Sequence, residues 1–387
     1  MLLTRKSEGT AQPVNPLARA ARALASKTVD RRSFLKGTGI TAGAAAFASQ
    51  LPLNMIGEAR AEEAKGNTVV RRTVCTHCSV GCSIDAVVTN GVWVRQEPVF
   101  DSPINLGAHC AKGASVREHG MTEHSHRLKY PMKLVDGKYK RISWEEAINE
   151  IGDKLLAIRK ESGPDATFWV GSSKHNNEQA QLFRKFVSMF GTNNMDHQAR
   201  ICHSTTVAGV ANTWGYGAMT NSYNDLQNTK CMLFIGSNAA EAHPVSMLHA
   251  LHAKETGAKM IVADPRFTRT AAKADQYIRF RSGTDVALLF GMLHIIFKNG
   301  WEDQKYINDR VYGMDKIKAE CMAKWSPDKV AEVTGVPEAD LYAMTETFAK
   351  NRPSTIIWCM GQTQHSIGNA FVRASCILQL ALGNIGV

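Results

Sequence analysis

No apolar run in the sequence approaches the roughly 18–20 residues that a bilayer-crossing helix needs. Neither G-x-G-x-x-G nor G-x-x-x-x-G-K-[ST] occurs, so a standard dinucleotide fold or phosphate loop has no support. Internal repeats are absent, which excludes a solenoid or propeller. Lys and Arg outnumber Asp and Glu, 46 to 35, yet no basic run is interleaved with aromatics as a nucleic-acid face would be. Nine of the basic residues but only three acids lie in the first 61 positions, so much of the +11 excess sits in one terminal segment. Nucleic acid is therefore not an expected partner. A hydrophobic content of 44% and a charged content of 21% describe an ordinary globular chain, long enough for two or three domains.

That terminal segment has a pattern of its own. DRRSFLKG (30–37) is a twin-arginine motif, followed by a mild Gly/Ala-rich stretch (37–53) and by Ala59-x-Ala61, a cleavage-like site. Residues 1–61 thus read as a twin-arginine signal peptide, and periplasmic export is the expectation. The alternative is a surface helix behind a polar tail. Export in the folded state implies a cofactor inserted beforehand.

Nine cysteines in an exported chain raise the question of disulfides. Four of them lie in VCTHCSVGC (74–82) and HCAKG (109–113): Cys75, Cys78, Cys82 and Cys110. The other five are scattered singly, whereas a disulfide scaffold would be smaller and denser in cysteine. Four thiolates can hold a [4Fe–4S] cube or a zinc ion. Structural zinc favours two C-x2-C pairs. Three ligands in one tight loop and a fourth far away suit the corners of a cube better. Lys112, just past the last cysteine, would face whatever exchanges electrons with it, or is simply a surface lysine.

Residues 62–128 form a cysteine-bearing [4Fe–4S]-type domain after a short linker, with a hairpin at Asn90-Gly91. From 129 to 387 the pattern is α/β. RISWEEAINEIGDKLLAIRKESG (141–163) predicts a helix opened by a Ser143/Glu146 capping box and stopped at Gly163. ATFWVGS (166–172) predicts a buried strand and 177–191 a helix. Further strands are expected at 231–238, 259–265, 276–281 and 353–361, and further helices at 285–300 and 369–382. Apolar strands alternating with helices imply a largely parallel sheet covered on both faces. Ligands of such sheets bind outside the carboxyl ends of the strands. There the chain places GSNAAEAHP (236–244), DPRFTRTA (264–271), GTD (283–285) and GQTQHSIG (361–368). Each alone could be an ordinary turn; four together suit a large nucleotide-like ligand. Cys202 in DHQARICH (196–203) has no second cysteine nearby. On its own it reads as a buried apolar residue as readily as a reactive one.

Together the leader, the cysteine spacing, CAKG, DHQARICH, AAEAHP, DPRFTRTA, GTDVALL and GQTQHSIG resemble the formate dehydrogenase alpha (catalytic) subunit. The resemblance is to the formate dehydrogenase N-like branch of the molybdopterin oxidoreductase family. It implies a small [4Fe–4S] domain followed by α/β domains of that type. It also implies a molybdenum or tungsten ion held by bis-molybdopterin guanine dinucleotide, and oxidation of formate to carbon dioxide. Cys75, Cys78, Cys82 and Cys110 then match the cluster ligands, Lys112 the lysine between cluster and pterin, Cys202 the metal ligand and His203 the catalytic histidine. Gly236, Asn238, Glu241, Asp264, Arg266 and Asp285 match dinucleotide contacts, and Gln364 and His365 lie near the pterin. The implied partners are an iron–sulfur beta subunit and a membrane cytochrome gamma subunit.

Two departures stand out. Thr205 replaces a frequent proline, and the sequence stops before the family's glycine-rich segment with its formate-binding arginine. A separate chain carrying those domains is one expectation, with no activity from the isolated chain. A periplasmic nitrate reductase-like enzyme, a non-catalytic electron-transfer fragment and a zinc-stabilised module are the rival readings.

Overall fold

Asn90 and Gly91 both take left-handed backbone, at φ 52° and 81°, the conformation a two-residue hairpin turn requires. They join β2 (Ser83–Thr89) to β3 (Val92–Pro98), and β1 (Thr68–Val74) pairs along the whole of β2. The result is an antiparallel sheet of order β1-β2-β3. These strands come from a computed structural model that describes residues 67–120 and 128–386. The twin-arginine motif and its cleavage site lie outside the described residues. Two short helices, α1 (Ala111–Ala114) and α2 (Val116–Gly120), follow the sheet.

A second hairpin, β4 (Met132–Val135) with β5 (Lys138–Arg141), turns at Asp136-Gly137 and leads into α3 (Trp144–Ser162). The Ser143 half of the expected capping box is formed, its side chain accepting the Glu146 N–H at 3.0 Å. Gly163, at φ 82°, ends the helix. Helix α4 (Asn177–Phe190) carries a complete box from Asn176 and Gln179 and stops at left-handed Gly191, as predicted.

The expected buried strand at 166–172 needs correction. It is only Trp169–Gly171 (β6), and Val170 is 60% exposed. Among the described residues its sheet partner is β7 (Met195–His197). Phe183, Phe186 and Phe190 of α4 pack edge-on against Trp169, so one face is covered and the other is left open. This pair stands apart from the main sheet.

The main sheet is parallel, in the order β10-β9-β8-β11, from β8 (Cys231–Ile235), β9 (Lys259–Ala263), β10 (Gln276–Ile278) and β11 (Ser354–Trp358). Alternate residues of β8 and β9 face opposite layers. Leu233, Ile235 and Ile261 join one core with Leu288, Leu289, Met292 and Ile296 of α8 (Asp285–Asn299). Met232, Phe234, Met260 and Val262 join the other with Met247, Ala250 and Ala253 of α7 (Ser246–Glu255), which follows the one-turn α6 (Ala239–Ala242). Both faces are therefore dry, and this accounts for the continuous apolar runs in these strands.

Four helices between 304 and 350, which the sequence pattern did not single out, pack around α8: α9 (Gln304–Arg310), α10 (Met314–Lys324), α11 (Pro327–Thr334) and α12 (Glu338–Lys350). After β11 come one-turn α13 (Met360–Thr363) and buried α14 (Gly368–Ala381). The helix that carries Cys202, α5, spans Gln198–Trp214 and packs along α14. Among the described residues no helix is long and apolar enough to cross a membrane.

Candidate functional site

The β1–β2 connection is closed by the Cys75 N–H, which donates to the Cys82 carbonyl at 2.8 Å. Gly81 supplies the left-handed residue of the turn, at φ 68°. Cys75, Cys78 and Cys82 thus sit on one tight loop. Cys110 is brought to them by Asn105, whose side chain is fully buried. The Asn105 amide accepts from the Ser83 N–H at 3.0 Å and donates to the carbonyls of Ser83 and Ala108 at 3.2 and 3.1 Å. The four thiols share one buried cluster with Val80, Ile84 and Val245. Burial pushes the Cys82 thiol up to about 11, and the other three cysteines push it further in the same direction. Four cysteines gathered around one largely buried cradle suit a cation that would hold them as thiolates. Among the described residues no three Cys, His, Asp or Glu side chains converge on a single-ion site.

Lys112 links this cradle to the sheet. Its Nζ donates to the Ala242 carbonyl at 3.1 Å, in the loop after β8. The next residue, His243, is held below the ordinary histidine range by burial, then by the charge of Lys112 and by His203. His243 is thus near enough to both Lys112 and His203 for their charges to act on it, a neighbourhood the sequence did not reveal.

Cys202 occupies the second turn of its helix, and His203 breaks the helical backbone there, at φ −136° and ψ 21°. The Cys202 Sγ lies 3.8 Å from the Met360 Sδ. The Cys359 thiol is raised by burial and also by its neighbour Cys202. Burial lowers His203, so its imidazole is neutral at pH 7; its Nδ1 is 3.3 Å from the Thr206 hydroxyl. Thr205 ties this helix to α13 by donating to the Thr363 carbonyl at 2.6 Å. Asp196 is paired with Arg200 at 3.1 Å.

Two glycines shape the floor beside these groups. A Cβ on Gly236, itself at φ 58°, would meet the Gly361 backbone at 2.8 Å. Asn238 accepts from the Thr270 hydroxyl at 3.0 Å and donates to Glu241, which in turn pairs with Arg269 at 3.2 Å. Asp264 accepts the Arg266 N–H at 2.8 Å. Asp285, 2% exposed, lies near Asp264 and His365 and beside the Gln362 amide. Burial is the main cause that pushes its carboxyl up to about 6. Asp285 Oδ1, Gln362 Nε2 and His365 Nδ1 are all buried without a hydrogen-bond partner. Unpartnered buried donors and acceptors at the carboxyl end of a parallel sheet suit a polar ligand.

The structure therefore brings together the four cysteines with Lys112, then Cys202 with His203, then Asp264, Asp285 and His365. Gly236, Asn238 and Glu241 form the adjoining loop. Arg266 and Gln364 are exposed. Of the two glutamines in GQTQH, it is Gln362 that is buried against Asp285. Tyr223, Cys359 and His243 also join the site; only His243 lay within a motif quoted from the sequence.

Residues 127–387 match the Molybdopterin oxidoreductase family, and residues 68–121 the Molybdopterin oxidoreductase Fe4S4 domain. The alpha subunit of F420-dependent formate dehydrogenase 1 from Methanococcus maripaludis is 35% identical over 81% of this chain and 46% of its own length. Formate dehydrogenase H of Escherichia coli is 36% identical over 81% of this chain and 44% of its own. The major subunit of the nitrate-inducible formate dehydrogenase of the same organism is 32% identical over 93% and 43%. Acetylene hydratase from Pelobacter acetylenicus superposes with a TM-score of 0.72 at 27% identity, over 82% of this chain and 44% of that one. The chain spans less than half the length of these relatives.

Proposed function

The chain belongs to the molybdopterin oxidoreductase family, and from that premise we propose that it is the catalytic portion of a formate dehydrogenase. Formate would be oxidised to carbon dioxide, releasing one proton and two electrons. The fold does not choose this substrate, since a structural neighbour is an acetylene hydratase. What favours formate is the Cys202-His203 pair, together with relatives that are named formate dehydrogenases.

One observation carries the reading. Lys112, two residues past Cys110, reaches the Ala242 carbonyl beside His243, and His243 feels the charges of both Lys112 and His203, which supports reading the cysteine cradle and the Cys202-His203 turn as two coupled sites. When bound, a molybdopterin-held molybdenum or tungsten ion supplies two-electron chemistry, and a [4Fe–4S] cluster supplies one-electron transfer. Cys75, Cys78, Cys82 and Cys110 would hold the cluster. Cys202 would ligate the metal as thiolate. Gly236, Asn238, Glu241, Asp264, Arg266 and Asp285 would line one guanine dinucleotide of the bis form, and Gln364 and His365 would lie near the pterin. Asp285 Oδ1 and Gln362 Nε2, buried and without a partner of their own, offer an acceptor and a donor of the kind a guanine edge needs.

His203 does the protein's own chemistry. Burial keeps its imidazole neutral, so it can accept the proton released from formate. Lys112 keeps a positive charge beside the path along which electrons leave. In this reading they pass to an iron–sulfur beta subunit and a membrane cytochrome gamma subunit, on the periplasmic side, after twin-arginine export.

The test is formate-dependent viologen reduction by the anaerobically purified protein together with the chains that assemble with it. Nitrate-dependent viologen oxidation without formate activity would favour the nitrate reductase reading. Iron without molybdenum, tungsten or guanine nucleotide would favour an electron carrier.

A further inference from the structure

Tyr223 opens a 3-10 turn (Tyr223–Asn228) that packs against α7, and its ring joins the buried cluster formed by Cys75, Val80, Cys82 and Val245. Its hydroxyl is 3.2 Å from the Ser79 Oγ, one residue beyond Cys78. Cys78 of the cradle packs against the same cluster. Tyr223 thus borders the cradle, by a route separate from Lys112.

We propose that Tyr223 is a positioning residue that sets the reduction potential of the cluster, its hydroxyl acting with that of Ser79 as a donor toward the Cys78 sulfur. Adding one electron makes a cluster and its thiolate sulfurs more negative, with no proton required. Donors aimed at those sulfurs stabilise the reduced form more than the oxidised form and raise the potential. The effect is strong where burial lowers the local dielectric, as among Cys75, Val80 and Cys82. The Tyr223 ring also covers the cradle on that side.

This inference rests on the cluster reading, and one experiment separates the two. An EPR-monitored redox titration compares the parent protein, purified anaerobically as the full chain with its co-purifying partners, with Tyr223→Phe and Ser79→Ala. Tyr223→Phe keeps the ring and is expected to keep its iron. Its one-electron reduction constant should fall about tenfold, a shift of about 59 mV to more negative potential. An iron-loaded Tyr223→Phe with the parent's potential overturns the proposal. If that variant fails to hold iron, Ser79→Ala decides: a negative shift supports the role, and an unchanged potential overturns it. A parent protein without iron would overturn the cluster reading itself.

Discussion

Gly361 lies backbone to backbone against Gly236, its N–H donating to the Gly236 carbonyl at 3.1 Å. The loops leaving β8 and β11 meet there, and neither position has room for a side chain. Gly236→Ala forces a Cβ to within 2.8 Å of Gly361 and places alanine at φ 58°. The expected cost is about 2 kcal/mol. A lowered Tm and less guanine nucleotide per chain should both be measured; an unchanged Tm would contradict the close approach.

In the proposed reading Lys112 couples two centres rather than building either one. Lys112→Met should therefore leave the iron content near that of the parent. Formate-dependent dye reduction should fall at least about tenfold, the loss of about 1.4 kcal/mol of differential stabilisation. Loss of iron and activity together would instead make Lys112 part of the cradle.

Asn105 should behave in the opposite way. Its buried amide makes three hydrogen bonds that seat the segment leading to Cys110. Asn105→Ala leaves Ser83 N–H and two carbonyls without that partner, at about 2 kcal/mol. Iron per chain should drop along with Tm, and dye reduction should drop only in proportion to the iron lost.

Asp285 gives a pH signature. Its folded value is about 6 against an ordinary 3.8, so between those values the folded protein binds more proton than the unfolded chain. Its contribution to the stability of the cofactor-free protein is thus most favourable below about pH 4. It is lost as pH rises through 6, for a total of about 3 kcal/mol. Asp285→Asn should flatten this part of the Tm–pH curve. It should also weaken retention of guanine nucleotide, because the substitution replaces one acceptor oxygen by an NH2 donor facing the donors of the guanine edge. A wild-type curve that rises steadily across this range, unaltered by the substitution, would argue against it.

Much of this was legible in the sequence because it rests on local rules. Asn90-Gly91 specifies its turn, Gly191 and Gly163 end their helices, and the apolar runs of β8, β9 and β11 mark strands buried on both faces. The cysteine spacing on the β1–β2 loop is a local pattern too. What could not be read depends on packing between distant segments. Gln362 and Gln364 are equivalent by sequence, and only the seating of α13 against α14 decides which one is buried. Tyr223 and Cys359 look unremarkable until the folded chain sets one beside Ser79 and the other beside Cys202. The strand around Trp169 was expected to be buried because its apolar run resembles β8, but it pairs outside the main sheet and keeps one face open.

The central claim is that one path joins a formate-oxidising metal site at Cys202-His203 to a [4Fe–4S] cluster at Cys75, Cys78, Cys82 and Cys110. The most direct test is to add formate to the oxidised, anaerobically purified protein with its assembled partners and follow the cluster by EPR. The account predicts that a reduced-cluster signal appears with formate and is lost in Cys202→Ala, although both preparations hold the same amount of iron. A fully loaded cluster that formate leaves oxidised, while dithionite reduces it, would contradict the account.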